Sequence, residues 1–212
     1  MRKDVDLPAR LRQGLAGLGL NLPDDRVDRL IGYVALLARW NAAYNLTAVR
    51  EPADMVPRHL LDSLAILPWV RGPRLLDVGT GPGLPGIPLA LADPTLRVTL
   101  LDANGKKVRF CRQAVIELGL GNAEVVQARA EDYRPPEGFA TITARAVADL
   151  PSLVAAVRHL LGADTTLLAM KGVLPEAEMA KLSADGLAVA AHRLQVPGVD
   201  AERCLIEIRA PS

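Results

Sequence analysis

Aromatic residues are scarce in this chain, at 3% of 212 residues. Its core therefore has to be aliphatic, and a hydrophobic content of 50% supplies enough Leu, Val, Ala and Ile for one α/β domain. Cysteine is rarer still. Cys111 and Cys204 lie far apart and form no Cys-x-x-Cys pair, which excludes a disulfide framework and a zinc spacing. No metal is expected. An excess of either charge is missing too: the net charge of +1 excludes a globally basic nucleic-acid binder and leaves local basic patches for any such contact. No run of about 18 apolar residues occurs, so no membrane span is expected. The charged start Met1-Arg2-Lys3-Asp4-Val5-Asp6 has no apolar stretch behind it, so no secretory signal is expected. These absences predict a cytoplasmic protein, with no membrane partner.

What is present changes character near residue 70. Before it, Leu7, Leu11, Leu15 and Leu18 recur at helical spacing. Asp24-Asp25 can open a second helix running to Trp40, and a third is expected from about Pro52 to Leu67. After it, short apolar runs alternate with helical segments. Strands are expected at Leu75–Val78, Val98–Leu101, Val125-Val126, Ala140–Ala144, Thr165–Met170, Leu187–Leu194 and Cys204–Ile208. Helices fit at Ile87–Ala92, Lys106–Leu118 and Leu150–Leu161. Such alternation implies a parallel sheet covered on both faces. The last two runs are joined by a loop containing Pro197-Gly198, too short for a crossover helix, so they should pair antiparallel. The expected division is a helical extension, residues 1–70, packed on a core domain, residues 71–212. A monomer is expected.

The first strand of the core runs into Asp77-Val78-Gly79-Thr80-Gly81-Pro82-Gly83. Glycines let the chain turn sharply and let a ligand approach the backbone, and the helix behind offers free N–H groups. Gly81-Pro82-Gly83-Leu84-Pro85-Gly86 also fits the dinucleotide pattern G-x-G-x-x-G, which is weak alone. The carboxylate of Asp77, two residues before the first glycine, decides the frame. It would repel a pyrophosphate and favour the sulfonium and amino group of S-adenosylmethionine. Gly79, Gly81 and Gly83 are then cofactor-binding positions beside Asp77. Asp102 ends the second strand about 20 residues on, where a carboxylate can take ribose hydroxyls; a helix cap is its other reading. Glu131 sits where an adenine could be bounded. This resembles a class I Rossmann-like methyltransferase: α/β, with a seven-stranded, mostly parallel sheet, helices on both faces and an N-terminal helical extension.

The fourth strand ends in Thr143-Ala144-Arg145-Ala146-Val147. It carries no Asn/Asp-Pro-Pro-aromatic motif for exocyclic amines and no Pro-Cys pair for covalent attack on a pyrimidine. That leaves an acceptor already nucleophilic: a ring nitrogen such as guanine N7, or a small-molecule or protein nitrogen. Arg145 at this strand end could hold the cofactor carboxylate or position guanine through O6 and N7; no general base is expected. Lys106, Arg109 and Arg112 recur along one helix face, joined by Lys107. Arg58 and His59 form another basic cluster, and Lys171 lies on the rim after the fifth strand. These are the candidate RNA contacts.

Asn45-Leu46-Thr47-Ala48 and Arg58-His59-Leu60-Leu61-Asp62-Ser63-Leu64 resemble the N-terminal signature of the ribosomal RNA small subunit methyltransferase G family, also called glucose-inhibited division protein B. The run from Asp77 to Leu89 is similar to that family's cofactor motif. Leu100-Leu101-Asp102, Lys106-Lys107, Arg109-Phe110, Arg145-Ala146 and Lys171-Gly172 also fit, over about residues 30 to 210. The resemblance implies methylation of guanine N7 in 16S ribosomal RNA, free or in the small subunit, with S-adenosylmethionine as donor. It implies cofactor contacts at Gly79, Leu84, Ala130, Glu131 and Arg145, with Asp102 at the ribose. Ala103 and Ala144 stand where Ser is common in the family. The other readings are a methyltransferase for a small molecule or protein, and a non-enzymatic RNA-binding module.

Overall fold

The computed structural model describes residues 5–146 and 149–210, so Val147 at the fourth-strand rim and the start Met1–Asp4 lie outside the described residues. Seven strands form one sheet: β1 Arg74–Val78, β2 Arg97–Asp102, β3 Ala123–Gln127, β4 Thr141–Arg145, β5 Thr166–Lys171, β6 Ala188–Leu194 and β7 Arg203–Arg209. Their order is β3-β2-β1-β4-β5-β7-β6. The first five are parallel, and β7 runs antiparallel to both β5 and β6. The expected antiparallel pair at the end of the chain is present, with β7 inserted between β5 and β6. The order reverses between β1 and β4, and the crevice at such a switch point is where open α/β sheets bind ligands.

Alternating side chains explain the layering. Leu75, Leu100, Leu168 and Leu205 join one buried cluster, while Leu76, Leu101, Leu167 and Ile206 join another. Neighbours in sequence point to opposite faces of a strand, and both faces here are apolar, so both must be covered. The second cluster is closed by α7 (Leu150–Val157) and α8 (Glu176–Ala184). The first is closed by α5 (Gly86–Ala92), α6 (Gly105–Glu117) and the whole helical extension.

That extension comprises α1 (Leu7–Gly17), α2 (Asp24–Tyr44) and a composite segment. The composite runs from α3 (Pro52–Met55) through a π-helical turn (Val56–Leu61) to α4 (Asp62–Leu64). Asp6 caps α1 by accepting from Ala9 N, and α2 runs past Trp40 to end at Asn45 in the left-handed conformation, φ 50°. Leu11, Val34 and Leu60 share a core with Leu75 and Phe110, so extension and sheet bury one continuous apolar surface. The helix α8 has no counterpart in the sequence expectation. Among its nine residues only Leu182 is buried, so it carries no apolar stripe to read.

Candidate active site

The turn after β1 holds Gly79 at φ 63°, Gly81 at φ 60° and Gly83 at φ 90°, a region strained for other residues. Behind it Gly86 has no room for a side chain: a Cβ would lie 2.3 Å from Leu100 Cδ2 and 2.8 Å from Asp77 Oδ2. That closeness exists because Gly86 N–H donates to Asp77 Oδ2 at 2.8 Å. The Thr80 hydroxyl donates to the same oxygen at 2.5 Å, and the Thr143 hydroxyl to Oδ1 at 3.3 Å. Asp77 is wholly buried, and its hydrogen bonds go to the turn and to β4. Burial pushes its carboxyl up from 3.8 to about 6, with these three hydrogen bonds opposing the rise. Asp77 therefore sits beneath the turn and holds its backbone. Leu84 is also buried, at 2% exposure, and its N–H donates to Thr80 O at 2.8 Å.

Further braces reach the turn from helices. The Tyr33 hydroxyl on α2 donates to Pro82 O at 2.7 Å, and Cys111 Sγ on α6 lies 3.4 Å from Gly81 O. Asp102 holds the far side: its Oδ2 accepts from Gly81 N at 2.9 Å and its Oδ1 from Asn104 N at 2.8 Å. The cap of α6 is Asn104, whose side chain accepts from Lys106 N and Lys107 N. Two carboxylate oxygens have about four acceptor positions, so Asp102 retains capacity for a ligand hydroxyl.

Gly79, Asp102, Lys107, Ala130, Glu131 and Ala146 line a cleft of about 330 Å³. This is within the roughly 300–1,000 Å³ range of small-molecule sites. Lys107 Nζ stands 4.0 Å from Asp102 Oδ2. Ala130 and Glu131 form a short 3-10 turn, Ala130–Asp132, with Glu131 exposed. Ala146, directly after β4, has φ 53°. A non-glycine residue there is strained, and such strain gathers at functional sites. Open glycine backbone, a carboxylate with spare acceptors and an exposed second acid fit a nucleoside bearing a cationic amino-acid tail.

The rim beside this cleft is built by arginines. Arg145 Nη1 donates to Asp62 Oδ2 at 2.9 Å and to Arg58 O at 3.1 Å. Arg203 Nε donates to the other Asp62 oxygen at 2.9 Å. The Arg58 side chain is exposed, whereas His59 is buried. His59 Nδ1–H donates to Arg58 O at 3.0 Å, because a carbonyl can only accept. Its Nε2 then accepts from the Thr47 hydroxyl at 2.9 Å, and Thr47 Oγ1 accepts from Val49 N at 3.2 Å. Burial, helped by the nearby Arg145 charge, pushes the imidazole down from 6.5 to about 4, so the ring is neutral at pH 7. Arg58, His59 and Arg203 line a second cleft of about 480 Å³.

The expected site residues fall into three groups. Gly79, Asp102, Lys107, Ala130 and Glu131 share one cleft, with Asp77, Gly81, Gly83 and Leu84 in or under the turn beside it. Arg145, Arg58 and His59 meet at the rim. Lys106, Arg109 and Arg112 are exposed on α6, apart from both clefts, and Lys171 Nζ lies 3.5 Å from Glu178 Oε2. Tyr33 and Arg203 had no place in the sequence reading, and Thr47 and Ala146 entered it only inside quoted runs, with no role assigned. Nothing in a local pattern marks a residue whose partner is 49 positions away, as for Tyr33 and Pro82. Among the described residues no group of three or more His, Cys, Asp or Glu could hold a metal ion.

Sheet order, glycine turn and acidic β2 end define a class I S-adenosylmethionine-dependent methyltransferase. A glycopeptide N-methyltransferase solved with S-adenosyl-L-methionine shares the fold, at a TM-score of 0.63 and 13% identity over 73% of this chain and 88% of that one. The chain belongs to the ribosomal RNA small subunit methyltransferase G family, whose model it matches over residues 26–206. It is 53% identical to that protein of Marinobacter nauticus over 94% of this chain and 93% of the relative. It is 52% identical to that of Alkalilimnicola ehrlichii over 100% of this chain and 96% of the relative.

Proposed function

We propose that this enzyme methylates N7 of a guanine in 16S ribosomal RNA. One observation supports the acceptor: the two buried titratable groups at the Arg145 rim, Asp62 and His59, are both engaged by neighbours, while Asp200, the acid lining the second cleft, is exposed. Asp62 has a guanidinium on each oxygen, and the lone pair of neutral His59 is occupied by the Thr47 hydroxyl. Neither of these two buried groups stands ready as a base, and guanine N7, which carries a lone pair and no proton, needs none. S-adenosylmethionine supplies an electrophilic methyl group on sulfur, and transfer is an in-line displacement governed by alignment.

In this reading Asp102 takes the ribose hydroxyls, Glu131 and Ala130 bound the adenine, and Gly79, Gly81, Gly83 and Leu84 present backbone to the donor. Asp77 fixes that backbone. Arg145 positions the guanine edge, and Arg58, with Lys106, Lys107, Arg109, Arg112 and Lys171, meets RNA phosphates. His59 serves by bracing the helical turn that carries Arg58. The chain acts as a cytoplasmic monomer, with residues 1–70 as an extension that folds on the core. No described helix is long and apolar enough to cross a membrane.

Transfer of labelled methyl to small-subunit RNA, followed by nucleoside analysis, tests the proposal. Label recovered as 7-methylguanosine is expected. Label on another atom, or only on a protein or small molecule, would overturn it. Absence of S-adenosylmethionine binding by calorimetry would instead leave an RNA-binding module.

A further inference from the structure

We infer that Asp62 is a positioning residue for methyl transfer: it holds Arg145 and Arg203 together as one cationic wall between the two clefts. This rests on the reading of Arg145 as an active-site residue. Asp62 is 4% exposed, and each of its oxygens takes one guanidinium at 2.9 Å. The three partners come from the helical extension, the end of β4 and the start of β7. Two guanidiniums against one carboxylate leave one positive charge. Arg145 leads into Ala146 of the donor cleft, while Arg203 lines the second cleft with Arg58. Nη2 of neither guanidinium has a hydrogen-bond partner among the described residues, so the wall keeps donors for a ligand.

The energetics favour a geometric purpose. Desolvation offsets much of the Coulomb gain of a buried ion pair, so the cluster is a poor way to gain stability. Local costs gather beside it. The turn before Asp62 is π-helical, a rare form found mostly at functional sites. The next residue, Ser63, buries its hydroxyl without a hydrogen-bond partner. A straight α-helix with an apolar residue at 62 would avoid the buried charges and the π-helical turn. The arrangement makes sense where the direction of two arginines matters more than the stability of the segment.

The test compares Asp62→Asn, Arg145→Gln and the double variant in steady-state methylation of small-subunit RNA, with S-adenosylmethionine affinity and thermal midpoint measured alongside. Asp62→Asn should lower kcat roughly ten- to hundredfold, the scale of a slightly misplaced group, with donor affinity held within about twofold. The double variant should lose less than the product of the two single losses, since Asp62 acts in part through that arginine and in part through Arg203. Multiplying losses, or a lowered midpoint with kcat unchanged, would overturn the inference. Where Asp62→Asn does not fold, Asp62→Glu keeps the charge and shifts it by a methylene; full activity there would overturn it as well. If Arg145→Gln is fully active, the reading of Arg145 falls and takes this inference with it. If Arg145→Gln is slow and Asp62→Asn is not, only the role of Asp62 falls.

Discussion

The two sides of the switch point solve opposite problems with the same means, a buried carboxylate. On the donor side Asp77 and Asp102 accept from backbone N–H groups of one glycine turn and its neighbour and from two threonine hydroxyls. Their work is to fix main chain, and among the described residues neither hydrogen-bonds to a guanidinium. On the acceptor side Asp62 accepts, among the described residues, from two arginines. Its work is to aim side chains that stay cationic. The donor side is thus a rigid cradle of backbone, and the rim is a charged surface held at a set angle. A small, constant ligand suits the first, and a large polyanion suits the second.

Breaking the cradle should cost most. Asp77→Ala leaves Gly86 N–H and the Thr80 hydroxyl buried without an acceptor, and each such group costs about 1–3 kcal/mol. Urea unfolding should show a loss of roughly 2–5 kcal/mol, and donor binding should vanish with the turn. Arg145→Ala should lower kcat/KM on RNA roughly a hundredfold and leave donor affinity nearly unchanged. Asp102→Ala is its mirror image, weakening S-adenosylmethionine by about 1–3 kcal/mol in calorimetry. Equal effects of these two variants on donor affinity would erase the division.

Proton linkage sharpens the same contrast. Folding lowers the His59 value from 6.5 to about 4, so its contribution is present above 6.5 and lost as pH falls toward 4. Folding raises the Asp77 value from 3.8 to about 6, so its contribution is present below 3.8 and lost as pH rises toward 6. The two slopes oppose each other between pH 4 and 6. The stability deficit of His59→Gln should shrink on acidification, and that of Asp77→Asn should shrink on going from acid to neutral. Each slope is at most about 1.4 kcal/mol per pH unit. Parallel curves for both variants would contradict the burial argument. The smallest effect belongs to Ala146→Gly, which relieves the positive φ and should change stability by no more than about 1 kcal/mol, checked by thermal unfolding.

The donor side was legible in the sequence because it is local. Asp77 through Gly86 spans one turn, and Asp102 closes the adjacent strand. Even so, the role expected of Asp77 was contact with the ligand, and the chain places it beneath the turn, where only its hydrogen bonds could reveal it. The strands were legible for the same reason, each being a short apolar run, whereas α8 has no apolar face to betray it. The rim was legible at Arg145, Arg58 and His59 and not in what holds them together. Asp62 and Arg203 stand 141 residues apart, and no periodicity links them. Asp62 lay inside a segment that resembles the family signature, which marked the place and not the job.

A salt titration tests the central division most directly. S-adenosylmethionine affinity and kcat/KM on small-subunit RNA would be measured on the same protein from about 50 to 200 mM salt. Donor affinity should change by less than about twofold, while the RNA term falls by at least about tenfold as phosphate contacts are lost. An RNA term indifferent to salt, or a donor term falling in step with it, would contradict the account.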